Sequence, residues 1–210
     1  MEIHAHVPKL GKTLPHWLLE GLFIVISVAL GFAVAQYRES RQNHELAARV
    51  LEDLKAEVER NITILEPQVA LHHRWVQALN KHLEAGNAGA RETGRDVFMA
   101  TWPDLNVSDI KPPFALLRRA AWDAALSTGA LRLIDYAVAA DLSEIYQWQH
   151  ALESAVDKMP YFSTSFFDPA TRNAAVWQLT FQLNAIELTE GFLLAAYRQH
   201  LPAIRAAAGP

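Results

Sequence analysis

One stretch near the front of the chain constrains what the rest can be: Trp17 to Tyr37, reading WLLEGLFIVISVALGFAVAQY. Between Gly21 and Ala35 the only polar side chain is Ser27. A helix rising about 1.5 Å per residue needs roughly 20 such residues to cross about 30 Å of hydrocarbon, and it satisfies its own backbone hydrogen bonds there. Trp17 and Tyr37 stand at the two ends, where amphipathic rings favour the headgroup layer, and Arg38 and Arg41 follow at once. Glu20 lies one turn inside the first boundary, close enough to reach headgroup water and placed to favour the helix dipole. The sequence therefore predicts a transmembrane helix over 17–37 surrounded by lipid, with Trp17, Glu20, Tyr37, Arg38 and Arg41 at the membrane interfaces. A secretory leader is the rival, because Ala33-Val34-Ala35 resembles a cleavage triplet; the length of the apolar run favours the anchor.

Inside this segment Ser27, Gly31 and Ala35 recur every fourth residue and line one face. Small residues at that spacing let two membrane helices approach closely, where packing rather than hydrophobicity drives association. The face points to a helix partner, either a homo-oligomer or another membrane protein.

Roughly 170 residues lie beyond the anchor, enough for one domain with its own core. The net charge is −4 with 20% charged residues, so the basic excess that nucleic acid requires is missing and nucleic acid is not an expected partner. No cysteine is present, which removes disulfides, thiol catalysis and zinc–thiolate sites together. Phosphate-binding and dinucleotide glycine loops, nucleophile elbows and His-Glu-x-x-His are all missing, so the expectation is a chain that is not an enzyme and takes no cofactor. His72, His73 and His82 form the richest histidine cluster, but no two of them stand at the i, i+4 spacing of a helical metal site.

Taken in order, 1–16 reads as a short tail, with His4 and His6 as weak metal ligands at most. Residues 38–85 read as a stalk helix continuing the anchor, with a seam of Ala47, Leu51, Leu54, Val58, Ile62 and Leu65 that allows a coiled coil; Asn61 interrupts it, and Pro67 is expected to kink or restart the helix. Residues 86–113 read as an irregular linker and 114–207 as a helical bundle. In the bundle a helix beginning near Phe114 is stopped by Gly129, and Asp135 caps the next, whose stripe is Val138, Leu142, Ile145, Gln149, Leu152 and Val156. An aromatic stretch over 159–167 precedes a helix start at Asp168-Pro169, and the last helix runs to about Ala207 with possible breaks at Gly191 and Pro202. The predicted fold is all-α: an N-terminal transmembrane helix continuing into a long stalk helix, then an antiparallel helical bundle.

Several pieces together resemble a broad group of uncharacterised bacterial single-pass inner-membrane proteins with an N-terminal span and a helical extramembrane domain. The matching residues are Glu20, the run Ile24 to Ala35 with Gly31, then Arg38 and Arg41, Leu51-Glu-Asp-Leu54, and Trp122 through Ile134, WDAALSTGALRLI. Tyr37 stands where that group usually has tryptophan. The resemblance covers roughly Trp17 to Tyr146 and implies bacterial inner membrane and shared fold; it carries over no site residue.

Basic residue counts near the span are close, with Lys9 and Lys12 before it and Arg38, Arg41, Arg49 and Lys55 after it, and taken literally they slightly favour a cytoplasmic C-terminal domain. Long domains translocate largely regardless of charge, and the resemblance favours a basic tail inside, so the C-terminal domain is expected in the periplasm. Two functions follow as expectations. The first is a non-enzymatic assembly or accessory subunit working through helix–helix contacts; the second is a periplasmic ligand-sensing bundle with its pocket near Trp122 and Arg132.

Overall fold

The computed structural model describes residues 16–87, 114, 116–159 and 170–209. The histidine-bearing tail, the linker from 88 to 113, most of the aromatic stretch and the Asp168-Pro169 pair lie outside the described residues. Described residues form four α-helices and no strand: α1 (His16–Asn87), α2 (Ala120–Thr128), α3 (Tyr136–Asp157) and α4 (Arg172–Ala208), with a 3-10 turn at Ala130–Leu133. The all-α prediction holds.

The chain divides into two compact units, one ending at Glu45 and the other beginning at Leu46. In the first, α1 exposes its apolar side chains all round, from Trp17 through Phe23, Leu30 and Phe32 to Tyr37. A helix apolar on every face suits a hydrocarbon surround, and this is the one helix among the described residues long and apolar enough to cross a membrane.

The second unit corrects the predicted division into stalk and bundle. Leu51, Leu54, Val58, Leu65, Trp75, Val76 and Leu79 of α1 belong to the same buried cluster as the stripes of α3 and α4. The seam that allowed a coiled coil is thus covered by later elements of the same chain, and the segment is a bundle helix rather than a free stalk. Pairings fix the directions. Glu57 and Asn61 of α1 meet Tyr146 and Gln149 of α3, in parallel sense. Glu59, Glu66 and His72 meet Arg205, Arg198 and Glu190 of α4, in antiparallel sense. Gln149 and Asp141 meet Tyr197 and His200, so α3 and α4 are antiparallel as well.

Local signals explain most element ends. The Asp135 carboxylate accepts from Ala137 N at 2.8 Å and caps α3. Gly129, at φ 71°, closes α2 in the left-handed conformation that glycine adopts most readily. Three expected breakers lie inside continuous helices. Pro67 lies inside α1, and α4 runs unbroken through Gly191 and Pro202. An interior proline costs roughly 3 kcal/mol, whereas the buried Leu65, Trp75, Val76 and Leu79 around and beyond Pro67 are each worth roughly 1.5–3 kcal/mol. Burial wins. The helix expected from Phe114 begins at Ala120, and just ahead of it the backbone of Arg118 is held by the side chains of Asn61 of α1 and Gln149 of α3.

Candidate functional site

In the anchor unit Ser27, Gly31 and Ala35 share one exposed face. The Ser27 hydroxyl donates to Phe23 O at 2.8 Å, so its polarity is satisfied within the helix and only its small size is presented. A Cβ added at Gly31 would meet nothing within 4 Å. Trp17, Glu20, Tyr37, Arg38 and Arg41 are all exposed, and Arg41 pairs with Glu45 at 3.5 Å. Such an exposed pair contributes little stability. Tyr37, Arg38, Arg41 and Glu45 line a shallow groove with Ala33 and Val34, which places the basic and aromatic boundary of the apolar run on one surface.

The bundle unit is held by a buried polar network that sequence patterning touches only at Asn61 and Gln149. Glu57 is 7% exposed yet surrounded by donors: Tyr146 OH at 2.5 Å, Ala121 N at 2.9 Å and Trp122 N at 3.4 Å. Ala121 and Trp122 stand in the first turn of α2, whose own N-cap residue, Arg119, makes no side-chain cap. A carboxylate borrowed from α1 therefore does what a local Asp or Ser does elsewhere, and the positive end of the helix dipole favours its charge. Burial first, and then the hydrogen bond to Glu57, push the Tyr146 phenol well above its ordinary range, so it stays a neutral donor. Its ring stacks on Trp122 at a centroid distance of 4.6 Å.

One turn further along α1, Asn61 forms a two-bond clamp on the backbone of Arg118: Nδ2 donates to the carbonyl at 2.7 Å and Oδ1 accepts from the amide at 2.8 Å. Gln149 Nε2 donates to the same carbonyl at 3.1 Å while its oxygen accepts from Tyr197 OH at 3.1 Å. Desolvation also drives the Tyr197 phenol upward. At the rim Arg119 chelates Asp123 and reaches Glu153, and the Asp123 hydrogen bond raises the guanidinium further above its ordinary value.

Histidines fasten α4 to its neighbours. His72 Nδ1 lies 2.8 Å from both carboxylate oxygens of the buried Glu190, with the ring between Trp75 and Phe114. Since a carboxylate only accepts, Nδ1 carries the proton. His73 meets Glu187 at 2.6 Å on the exposed edge. His200 lies between Asp141 at 3.1 Å and Glu144 at 3.3 Å, the latter at ion-pair distance without hydrogen-bond alignment. Each histidine is thus engaged by carboxylates one or two at a time, and among the described residues no group of three metal-ligating side chains converges.

Trp122 and Arg132, expected to share a pocket, have different surroundings. Trp122 is buried against Tyr146, whereas exposed Arg132 lies along an open groove of about 930 Å³ with Ile134, Tyr136, Ser143 and Trp148. Trp122 does not line that groove. The polar network was invisible in the sequence because its partners on different elements are separated by 31 to 118 residues. The one available signal was Glu57 and Asn61 falling on the core face of the α1 seam beside Leu54, Val58 and Leu65.

No protein-family model, no curated protein and no solved structure matches the chain. What the fold and surfaces define is a class: an all-α chain with, among the described residues, one membrane-length apolar helix and a helical bundle crossed by buried hydrogen bonds.

Proposed function

We propose that this chain is a single-pass bacterial inner-membrane protein, with its helical domain in the periplasm, that acts without catalysis as an assembly or accessory subunit through helix–helix contacts. The observation that carries the reading is the anchor face. Ser27, Gly31 and Ala35 are exposed together, and nothing within 4 Å of Gly31 inside the chain accounts for a glycine there. A glycine in a helix interior lowers helix stability by about 1 kcal/mol relative to alanine, a loss that close approach of a second membrane helix offsets. The polar core adds support, because Glu57, Asn61, Tyr146 and Gln149 are hydrogen-bonded in joining elements of the chain to one another.

The test is the mass and composition of the complex extracted from its native membrane in mild detergent. Stoichiometric foreign subunits, or a defined oligomer of the chain, are the expected result. A chain that runs as a monomer without companions would overturn the proposal.

A further inference from the structure

The outer face of α4 is apolar, exposed and spaced for a helix partner. At 100° per residue Trp177, Phe181, Asn184, Leu188, Gly191 and Ala195 fall on one stripe, opposite the buried stripe of Val176, Leu179, Leu183, Ile186 and Tyr197. Their steps alternate between four and three residues, the repeat of a two-stranded coiled-coil seam. Trp177 is 59% exposed, Phe181 71%, Leu188 60% and the flanking Phe192 47%, with Phe192 braced by Trp148 at a centroid distance of 5.0 Å.

We propose that this face pairs with the same face of a second copy of the chain, the two α4 helices running in the same direction. The inference rests on the assembly function proposed above and names its partner and surface. Three observations favour a copy over a foreign helix. Area is the first: aromatic side chains carry roughly 150–250 Å² each, so these four residues expose on the order of 500 Å². Two such faces bury about 1,000 Å², the lower bound for a specific interface. Charge is the second, since the stripe from Trp177 to Ala195 holds no ionisable side chain, and Glu187 at its edge is engaged by His73. Nothing repels an identical face, and nothing selects a foreign one by charge. The pattern of special residues is the third. Asn184 is the single polar member, and one buried asparagine fixes register when it faces its own counterpart in a parallel pair. A Cβ at Gly191 would meet nothing within 4 Å inside the chain, so its small size is useful only to a neighbour.

Because the chain has no cysteine, each introduced cysteine reports alone. Phe181→Cys, Leu188→Cys and Ala195→Cys would be made singly in the full-length chain, oxidised in native membranes and run without reductant, with Glu52→Cys on the exposed side of α1 as the off-seam control. Self-linked dimer at all three seam positions, at about tenfold or greater yield than at Glu52→Cys, supports the pairing. Adding Leu188→Glu to the Phe181→Cys chain is expected to lower the link by about tenfold or more; Leu188 is exposed, so circular dichroism of this variant should retain its helicity. Links between chains bearing Phe181→Cys and Gly191→Cys in place of self-links would overturn the parallel register. Seam cysteines captured by a different protein would overturn the second copy as occupant. Seam positions no more reactive than Glu52→Cys, in a preparation that still holds foreign subunits or anchor-paired dimers, would overturn the α4 pairing and leave the proposed function standing. A wholly monomeric chain would overturn both.

Discussion

Replacing Tyr146 with phenylalanine isolates one hydrogen bond of the core. The hydroxyl donates to Glu57 Oε1 at 2.5 Å, with both residues buried. A hydrogen bond to a charged group is worth roughly 1.5–3 kcal/mol. The Glu57 carboxylate keeps Ala121 N at 2.9 Å after the substitution, so it is not left wholly unpaired, and the stack on Trp122 survives because the ring is unchanged. The loss should therefore be about 2 kcal/mol, below the roughly 3–5 kcal/mol of a broken buried ion pair. In a domain of this size that lowers Tm by about 4–8 °C. Glu57→Ala should be worse, at roughly 3–5 kcal/mol, since it strands the phenol and the first-turn amides of α2 together. Urea unfolding of the full chain in mild detergent, followed by tryptophan fluorescence, measures each variant and the double variant. The double loss should fall short of the sum by about 1–2 kcal/mol. Losses that add to within about 0.5 kcal/mol would show that the two side chains do not act on one another, and the role given to the Tyr146 hydroxyl would fail with them.

Three further outcomes follow from the same geometry. Gly129→Ala forces a side chain into φ 71° and brings its Cβ to 2.7 Å from the Arg132 guanidinium; that group is mobile enough to yield, so the loss should be the backbone strain of about 1–2 kcal/mol in the same urea assay. Alkaline titration followed by ultraviolet absorbance should show Tyr146 and Tyr197 ionising well above the ordinary phenol range of about 10, because burial disfavours their charged forms. Both buried phenols are raised in the folded state, so their contribution is complete below about pH 10 and is lost as pH climbs beyond it, giving stability that falls on the alkaline side. Gly31→Leu should weaken association in the membrane; unchanged resonance energy transfer between labelled chains would remove the anchor face from the proposed function.

What could be read from the sequence was whatever short-range chemistry controls. The apolar run of the anchor, the stripes of α3 and α4, the Asp135 cap and the Gly129 stop each depend on residues within a few positions, and each was legible. The seam of α1 was legible as a face, but periodicity does not say what covers it, and the covering helices arrive a hundred residues later in the chain. Gly191 and Pro202 misled because a breaker's local cost is visible in sequence and the burial that offsets it is not. Glu57, His72 and Glu190 looked like ordinary charged or polar positions on long helices. Their burial depends on partners supplied from other elements, Tyr146 for Glu57 and the α4 carboxylate for His72.

The distance along the chain between His72 and Glu190 also sets a schedule for synthesis. The two are 118 residues apart, and a ribosome adding roughly 5–20 residues per second takes roughly 6–24 s to cover that interval. For most of it Leu54, Val58 and Leu65 have been made and α4, which begins at Arg172 and shares their core, has not. The nascent chain therefore presents an uncovered apolar helix face and an unpaired histidine well before its fold can close. A chain cut short before α4 would keep that face without the helix that shares its core.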